Sequence, residues 1–389
     1  MSFFSPLQQQ PADALLALIG QYRADPRPHK LDLGVGVYRD EAGNTPVPAA
    51  LKEAEQRLWQ RQDSKSYLGP EGNEAFTAHM QRLAFGGMDF GGRMTGVQTP
   101  GGTGALRLSA ELIAATVPGA RVWLGTPTWP NHPPILRAAG LTVETYSYFD
   151  PASQTLCFDA LMAALNRAGA GDVALLHGCC HNPTGADLTP VQWQEVAALL
   201  SARGIIPFLD LAYQGLGTGF DADAAGVRTV LDHCPEVLVA YSCDKNFGIY
   251  RERVGALFVL TGSAADAARV HSNMLALARA NWSMPPDHGA AAIALLLDDT
   301  ELTALWQAEL DAMRSRLRGV RAALSAHGGP LAAVERQNGM FSLLPLATDT
   351  IARLKSEHGI YMAGSGRINV AGLTLDTVPV LAAAIAACA

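Results

Sequence analysis

Between residues 95 and 260 short apolar runs recur: "RVWLG", "DVALLHG", "IIPFLD", "EVLVAYS" and "GALFVL". Each has the length of a buried strand, and alanine-rich stretches of helical period such as "VQWQEVAALLSARG" separate them. That alternation predicts a largely parallel sheet wrapped by helices, an α/β architecture. After Asp299 the period changes. "ELTALWQAELDAMRSRLRGVRAALSAHG" reads as one long amphipathic helix, ending at a glycine pair suited to its C-cap and linking two units. Beyond it "GMFSLLPL" and "GRINVAGL" read as strands, with the helical "TIARLKSEHG" between them. They form a smaller α+β unit, against which the N-terminal segment is also placed.

Composition narrows the class. A chain of 389 residues exceeds the size at which one core usually keeps growing, so two domains are expected. Hydrophobic residues make up 49% and charged residues only 17%, which argues against disorder. The net charge of -7, with no basic cluster beside aromatic residues, excludes a nucleic-acid footprint and favours small-molecule partners. Six cysteines at 157, 179, 180, 234, 243 and 388 have neither paired nor zinc-like spacing. They read as free thiols in a reducing compartment, with the vicinal Cys179 and Cys180 filling core and no metal site. The start lacks a basic leader region, and its apolar "ALLALIG" is too short to span a bilayer. A cytoplasmic location without membrane contact is therefore expected.

In open α/β sheets ligands bind beyond the carboxyl ends of the strands. Three such ends carry chemistry. "LLHGCCHNPTG" ends in Asn182, "IIPFLDLAYQG" in Asp210 and Tyr213, and "EVLVAYSCDKN" in Ser242 and Lys245. Upstream, "TPGGTGALRLSAELIAA" opens a helix at Gly101, Gly102, Thr103 and Gly104, whose free N–H groups favour an anion. Singly, each sign has an ordinary reading: a turn, a helix cap, a solvated lysine. Together, in strand order, they supply the parts an aldehyde cofactor with a pyridine ring and a phosphate requires. Lys245 suits an imine, Asp210 a pyridinium nitrogen, Asn182 and Tyr213 the ring oxygen. Ser242 and Arg253 suit the phosphate.

These residues, with "LDLGVGVYRDEAGNTPV", "SYLGPEG", "PTWPNH", "KNFGIYRERVG" and "SGRINVAGL", give the chain a resemblance that runs nearly end to end. It resembles the class I (fold type I) pyridoxal-phosphate aminotransferases of the aspartate and aromatic group. The resemblance implies a large domain at 40–300 with a mostly parallel sheet between helices. It implies a smaller α+β domain at 11–39 and 301–389, and an N-terminal arm at 1–10. Pyridoxal 5'-phosphate is the implied cofactor, with Lys245 as the imine lysine, Trp129 stacked over the ring, and Gly102, Thr103, Ser242 and Arg253 on the phosphate. A homodimer with shared active sites is implied too, Tyr67 reaching the neighbour's phosphate and Arg279 the distal end of its substrate.

On the substrate side, Arg367 offers a planar fork to the α-carboxylate and Arg279 a second fork to a side-chain carboxylate. Gly36, in "LGVGVYRDEAG", belongs to a segment that lacks the dinucleotide G-x-G-x-x-G and is expected to close over substrate. His132 and His177 read as hydrogen-bonding supports near the ring. The expected activity is ping-pong transamination between aspartate, glutamate or aromatic amino acids and 2-oxo acids such as 2-oxoglutarate. β-Elimination or decarboxylation on the same cofactor, or a non-enzymatic regulatory relative, are the alternatives. Two residues depart from the family pattern: Asp244, where relatives usually carry serine, and Met284, where a polar residue is common. Asp244 either faces the phosphate, where it needs a compensating cation, or points away.

Overall fold

The computed structural model describes residues 2–10 and 14–388. The expected start of the small domain at residue 11, its end at 389 and the first residue of the arm lie outside them. At the centre is a seven-stranded sheet. Its strands are β1 (Met94–Pro100), β2 (Arg121–Thr126), β3 (Thr142–Ser147), β4 (Val173–His177), β5 (Ile206–Leu211), β6 (Val237–Ser242) and β7 (Val254–Leu260). They lie in the order β1-β7-β6-β5-β4-β2-β3, and β7 alone runs antiparallel to its neighbours. Strands covered on both faces have no polar side to show, which is why β6 and β7 are buried throughout and apolar up to Ser242 at the end of β6. Alternate residues feed opposite faces: Phe208, Leu238 and Ala240 enter one core, Leu209, Val239 and Tyr241 the other.

Local signals set the helices that flank the sheet. Thr189 accepts from Gln192 N–H while the Gln192 side chain accepts from Thr189 N–H, Pro190 opens helix Pro190–Arg203, and Gly204 at φ 64° closes it. Asp299 caps the long helix Thr300–Ser325. Its other end differs from the sequence reading. The C-cap is Ala326 in right-handed conformation, and the last turn tightens through His327 N–H to Leu324 O and Gly328 N–H to Ser325 O. Gly328 and Gly329, at φ 69° and 55°, come afterwards and serve the chain reversal instead. No helix among the described residues is long and apolar enough to cross a membrane.

The C-terminal strands form where "GMFSLLPL" and "GRINVAGL" placed them. Phe341–Leu343 pairs antiparallel with Arg367–Asn369, so Leu343 faces Arg367 across the ladder. Leu31–Asp32 runs parallel to Ile360–Tyr361, tying the N-terminal segment to the same region. Buried Arg321, on the long helix, donates to the carbonyls of Val334, Asn338, Gly339 and Phe341 and to Ser342 Oγ. Those bonds fix the segment that presents Phe341 to the sheet's carboxyl edge.

Candidate active site

At that edge, β4 ends in His177, β5 carries Asp210, and the chain leaves β6 at Ser242 and reaches Lys245 three residues later. His177 and Asp210 are register partners. A cavity of about 310 Å³ opens here, and Asp210, Tyr213, Ser242, Lys245 and Arg253 line it. Gly36, Gly102, Thr103, Trp129, Asn182 and Arg367 line it too. Eleven of the thirteen site residues expected from the sequence thus meet in one space. Tyr67 and Arg279 do not. Tyr67 is 92% exposed, and Arg279, exposed near the end of helix Ala264–Asn281, donates to Ser283 Oγ.

The anion cradle is built by the backbone. Pro100 provides no side-chain cap to helix Gly101–Thr116, which leaves its first N–H groups free toward the cavity end. Gly101 has φ 68°, and a Cβ there would stand 2.5 Å from the Arg253 guanidinium. A Cβ on Gly102 would stand 2.9 Å from Ser242 Cβ. Glycine at both positions lets Arg253 and Ser242 close in on the start of the helix.

Deeper in, polar groups form a directed chain. Asp210 Oδ2 lies 3.1 Å from His132 Nε2, and Thr128 Oγ1 lies 2.8 Å from His132 Nδ1 and 3.1 Å from His177 Nε2. With Asp210 ionised, His132 Nε2–H donates to it and Nδ1 accepts from the Thr128 hydroxyl, whose oxygen accepts from His177 Nε2–H. Burial pushes Asp210 up, but the hydrogen bond from His132 and the nearby charge of Lys245 outweigh it and hold the carboxyl below its ordinary value. Burial drives His177 down to about 3, so it stays neutral. Burial also lowers Lys245, against the opposing charges of Asp244 and Asp210. The result is an amine that gives up its proton more readily than a solvated lysine, 5.2 Å above the Tyr213 ring.

Arg367 is positioned for an incoming anion. Its Nη2 donates to Gly34 O at 2.8 Å and its Nη1 to Asn182 Oδ1 at 3.4 Å, while its buried Nε has no partner. The guanidinium lies 4.6 Å over the Phe341 ring, which also meets Tyr213 edge-on. Phe341 and Thr128 are site residues that sequence reasoning missed. Only the apolar inward position of Phe341 in "GMFSLL" hinted at burial, and nothing local says against what. Asp244 faces inward: it lines the cavity, pairs with Arg253, and keeps Oδ1 buried without a partner. Met284 is half-buried and is not among the residues lining the cavity.

Comparison with known proteins places this geometry. Residues 28–385 match the family model described as aminotransferase class I and II. The chain belongs to that family. A tyrosine aminotransferase of Rhizobium meliloti (strain 1021) is 54% identical to this aminotransferase over 374 residues, 95% of this chain and 96% of that protein. An aspartate aminotransferase of Salmonella typhi is 44% identical over 393 residues, 99% of each chain. The crystal structure of an aromatic-amino-acid aminotransferase from Burkholderia pseudomallei, covalently bound to pyridoxal phosphate, matches with a TM-score of 0.97 at 40% identity over 100% of both chains. The fold is thus the one the resemblance implied, and the chain is an enzyme of the transaminase class. The residues present fit pyridoxal phosphate: a glycine cradle beside a helix N-terminus, a buried amine, and a buried carboxylate held ionised.

Proposed function

We propose that this aminotransferase moves the amino group between aspartate, glutamate or an aromatic amino acid (Tyr, Phe, Trp) and a 2-oxo acid such as 2-oxoglutarate, by a ping-pong sequence. Its cofactor is pyridoxal 5'-phosphate. The observation that carries the reading is Lys245: a desolvated amine at the end of β6, in one cavity with Asp210 and the anion cradle. When bound, the cofactor supplies an aldehyde carbon and a pyridine ring that draws electrons from the amino acid's Cα. With the cofactor bound, Lys245 would hold its aldehyde carbon and, once freed by substrate, would be the base placed to move the proton between the substrate Cα and the cofactor's C4′. Asp210, kept ionised by His132, holds a proton on the ring nitrogen. Asn182 and Tyr213 donate to the ring oxygen, and Trp129 covers one face. Gly102, Thr103, Ser242 and Arg253 hold the phosphate.

Arg367 takes the α-carboxylate, its free Nε being the donor that needs an acceptor, and Gly36 backs the substrate beside Phe341. The partner subunit's Tyr67 reaches the phosphate and the partner subunit's Arg279 reaches a dicarboxylate side chain. What supports a homodimer is that both stand outside their own chain's cavity, with Trp59 (78% exposed), Phe3 and Phe4 offering apolar surface for a second copy. Aromatic substrates are supported by a second hollow that shares Trp129 and Arg367 with the site and has Leu18, Pro134 and Met362 in its wall. The division into an arm at 1–10, a small domain at 11–39 and 301–389 and a large domain at 40–300 accords with the pairing of Leu31–Asp32 onto Ile360–Tyr361. A cytoplasmic setting accords with the free cysteines.

A panel of amino donors with 2-oxoglutarate tests the reading. Expected are 2-oxo acid products from both aspartate and phenylalanine, and a change in the visible absorption of the protein on adding glutamate. Ammonia or carbon dioxide in place of a 2-oxo acid would replace transamination with elimination or decarboxylation.

A further inference from the structure

The Asp244 carboxylate stands inside the anion cradle. Its Oδ2 is paired with Arg253 Nη1 and lies 3.9 Å from Lys245 Nζ. The side chain is only 7% exposed, and Oδ1 is buried with no donor. Arg253, the cation expected to hold a phosphate, therefore already holds an anion.

Charge counting shows the difficulty. A phosphate ester carries nearly two negative charges at neutral pH, its second ionisation lying near about pH 6. Beside Asp244 that makes close to three, facing Arg253, the partly desolvated Lys245 amine and a helix terminus equivalent to about half a positive charge. Acidic groups this close do not all stay ionised, and a proton held between two of them relieves the repulsion. Oδ1 is the acceptor free to take part. The other titratable groups around Asp244 offset only part of the excess. Lys245, 3.9 Å from Asp244 Oδ2, is the second cation on the loop, but it also faces Asp210 on β5 and its own charge is disfavoured by burial. The Cys243 thiol and Tyr250 phenol are both pushed up by burial and stay neutral. The first turn of helix Gly101–Thr116 carries no acidic side chain.

We propose that Asp244 makes phosphate binding proton-coupled in this enzyme: the cofactor phosphate binds with one added solvent proton, held between a phosphate oxygen and Asp244 Oδ1, while Oδ2 stays on Arg253. The proposal rests on the cofactor reading above. Its sign follows from linkage. Above about pH 6 the free phosphate has lost the proton that the bound one keeps, so affinity falls as pH rises, by up to about tenfold per pH unit.

Pyridoxamine 5'-phosphate, which has no aldehyde for Lys245, tests this. It is titrated into the full-length chain freed of cofactor, between pH 6.5 and 8.5, for wild type, Asp244→Ser and Asp244→Asn. The phosphorus NMR signal of each cofactor-loaded protein is recorded over the same range. Expected are a wild-type Kd that rises about tenfold per pH unit, a slope shallower by about one proton in both variants, and tighter binding by the variants at pH 8.5. The wild-type phosphorus signal is expected at the monoanion position, and the variants' at the dianion position. Equal slopes in all three proteins, with the wild-type signal at the dianion position, would overturn the proposal. A wild-type chain that binds no pyridoxamine 5'-phosphate at any pH overturns the cofactor reading itself, a result distinct from binding without the pH slope.

Discussion

His132 Nε2 lies 3.1 Å from Asp210 Oδ2, and both side chains are buried. A carboxylate in that position would drift toward its neutral form without a donor, because burial penalises its charge. His132→Phe removes the donor and keeps the volume roughly constant. A hydrogen bond to a charged group is worth about 1.5–3 kcal/mol, or roughly one to two pKa units. The acid limb of the kcat/KM profile is expected to move up by about that much, with the neutral plateau less affected. An unmoved limb would mean that His132 does not hold the Asp210 charge.

Lys245→Ala separates chemistry from binding. The cradle of Gly101, Gly102, Ser242 and Arg253 does not depend on the amine, so the variant is expected to keep cofactor after gel filtration while multiple turnover falls by several orders of magnitude. Cofactor content by absorbance and steady-state rates check both halves. Ordinary turnover in this variant would end the proposed mechanism.

The buried histidines give stability a pH dependence whose sign can be worked out. His177 is held down to about 3 by burial, and His181 is also well below its ordinary value. An unfolded histidine titrates near about 6.5, so between these values the unfolded chain binds protons that the folded chain refuses. The stability this represents is fully present above about pH 6.5 and is lost as pH falls toward 3. Each such histidine contributes a slope of up to about 1.4 kcal/mol per pH unit. Urea unfolding at pH 7, 6 and 5 is expected to show the loss, and His177→Gln to show a slope smaller by about one proton. Parallel slopes would contradict a neutral buried His177.

Much of this site is legible in the sequence because its residues sit at strand ends, and strand ends are set by local apolar runs. Asp210 follows "IIPFL" directly and Lys245 comes three residues after "EVLVAYS", and a parallel sheet must bring such ends together. What stays hidden depends on contacts between distant segments. Phe341 lies under Arg367 because Arg321 ties down its carbonyl and Asn369 pairs with it across a short ladder. Thr128 joins His132 to His177, 49 residues further on, through one hydroxyl. The direction of Asp244 was open in sequence, since neighbouring residues need not point together; its pairing with Arg253 turns it inward. The glycine pair after the long helix misleads for a local reason: backbone bonds at Ala326 and His327 close the helix before the glycines are reached.

The proposed substrate choice turns on Arg279, which is exposed within its own chain and bound to Ser283 Oγ. If the partner subunit's Arg279 completes the site, it meets a carboxylate when aspartate is bound and has no anionic partner when an aromatic ring takes the same space. On the same reading, the hollow beside Trp129, with Leu18, Pro134 and Met362 in its wall, would take a ring without calling on that guanidinium. Arg279→Ala then removes one charge-assisted contact from aspartate alone. In a desolvated site that loss is about 1.5–3 kcal/mol, roughly tenfold to a hundredfold in kcat/KM. Phenylalanine and tyrosine are expected to lose little, so the aspartate-to-phenylalanine ratio of kcat/KM falls by nearly the whole factor. Equal losses for both classes, with an unchanged ratio, would assign Arg279 to architecture and leave dicarboxylate selection to another cation.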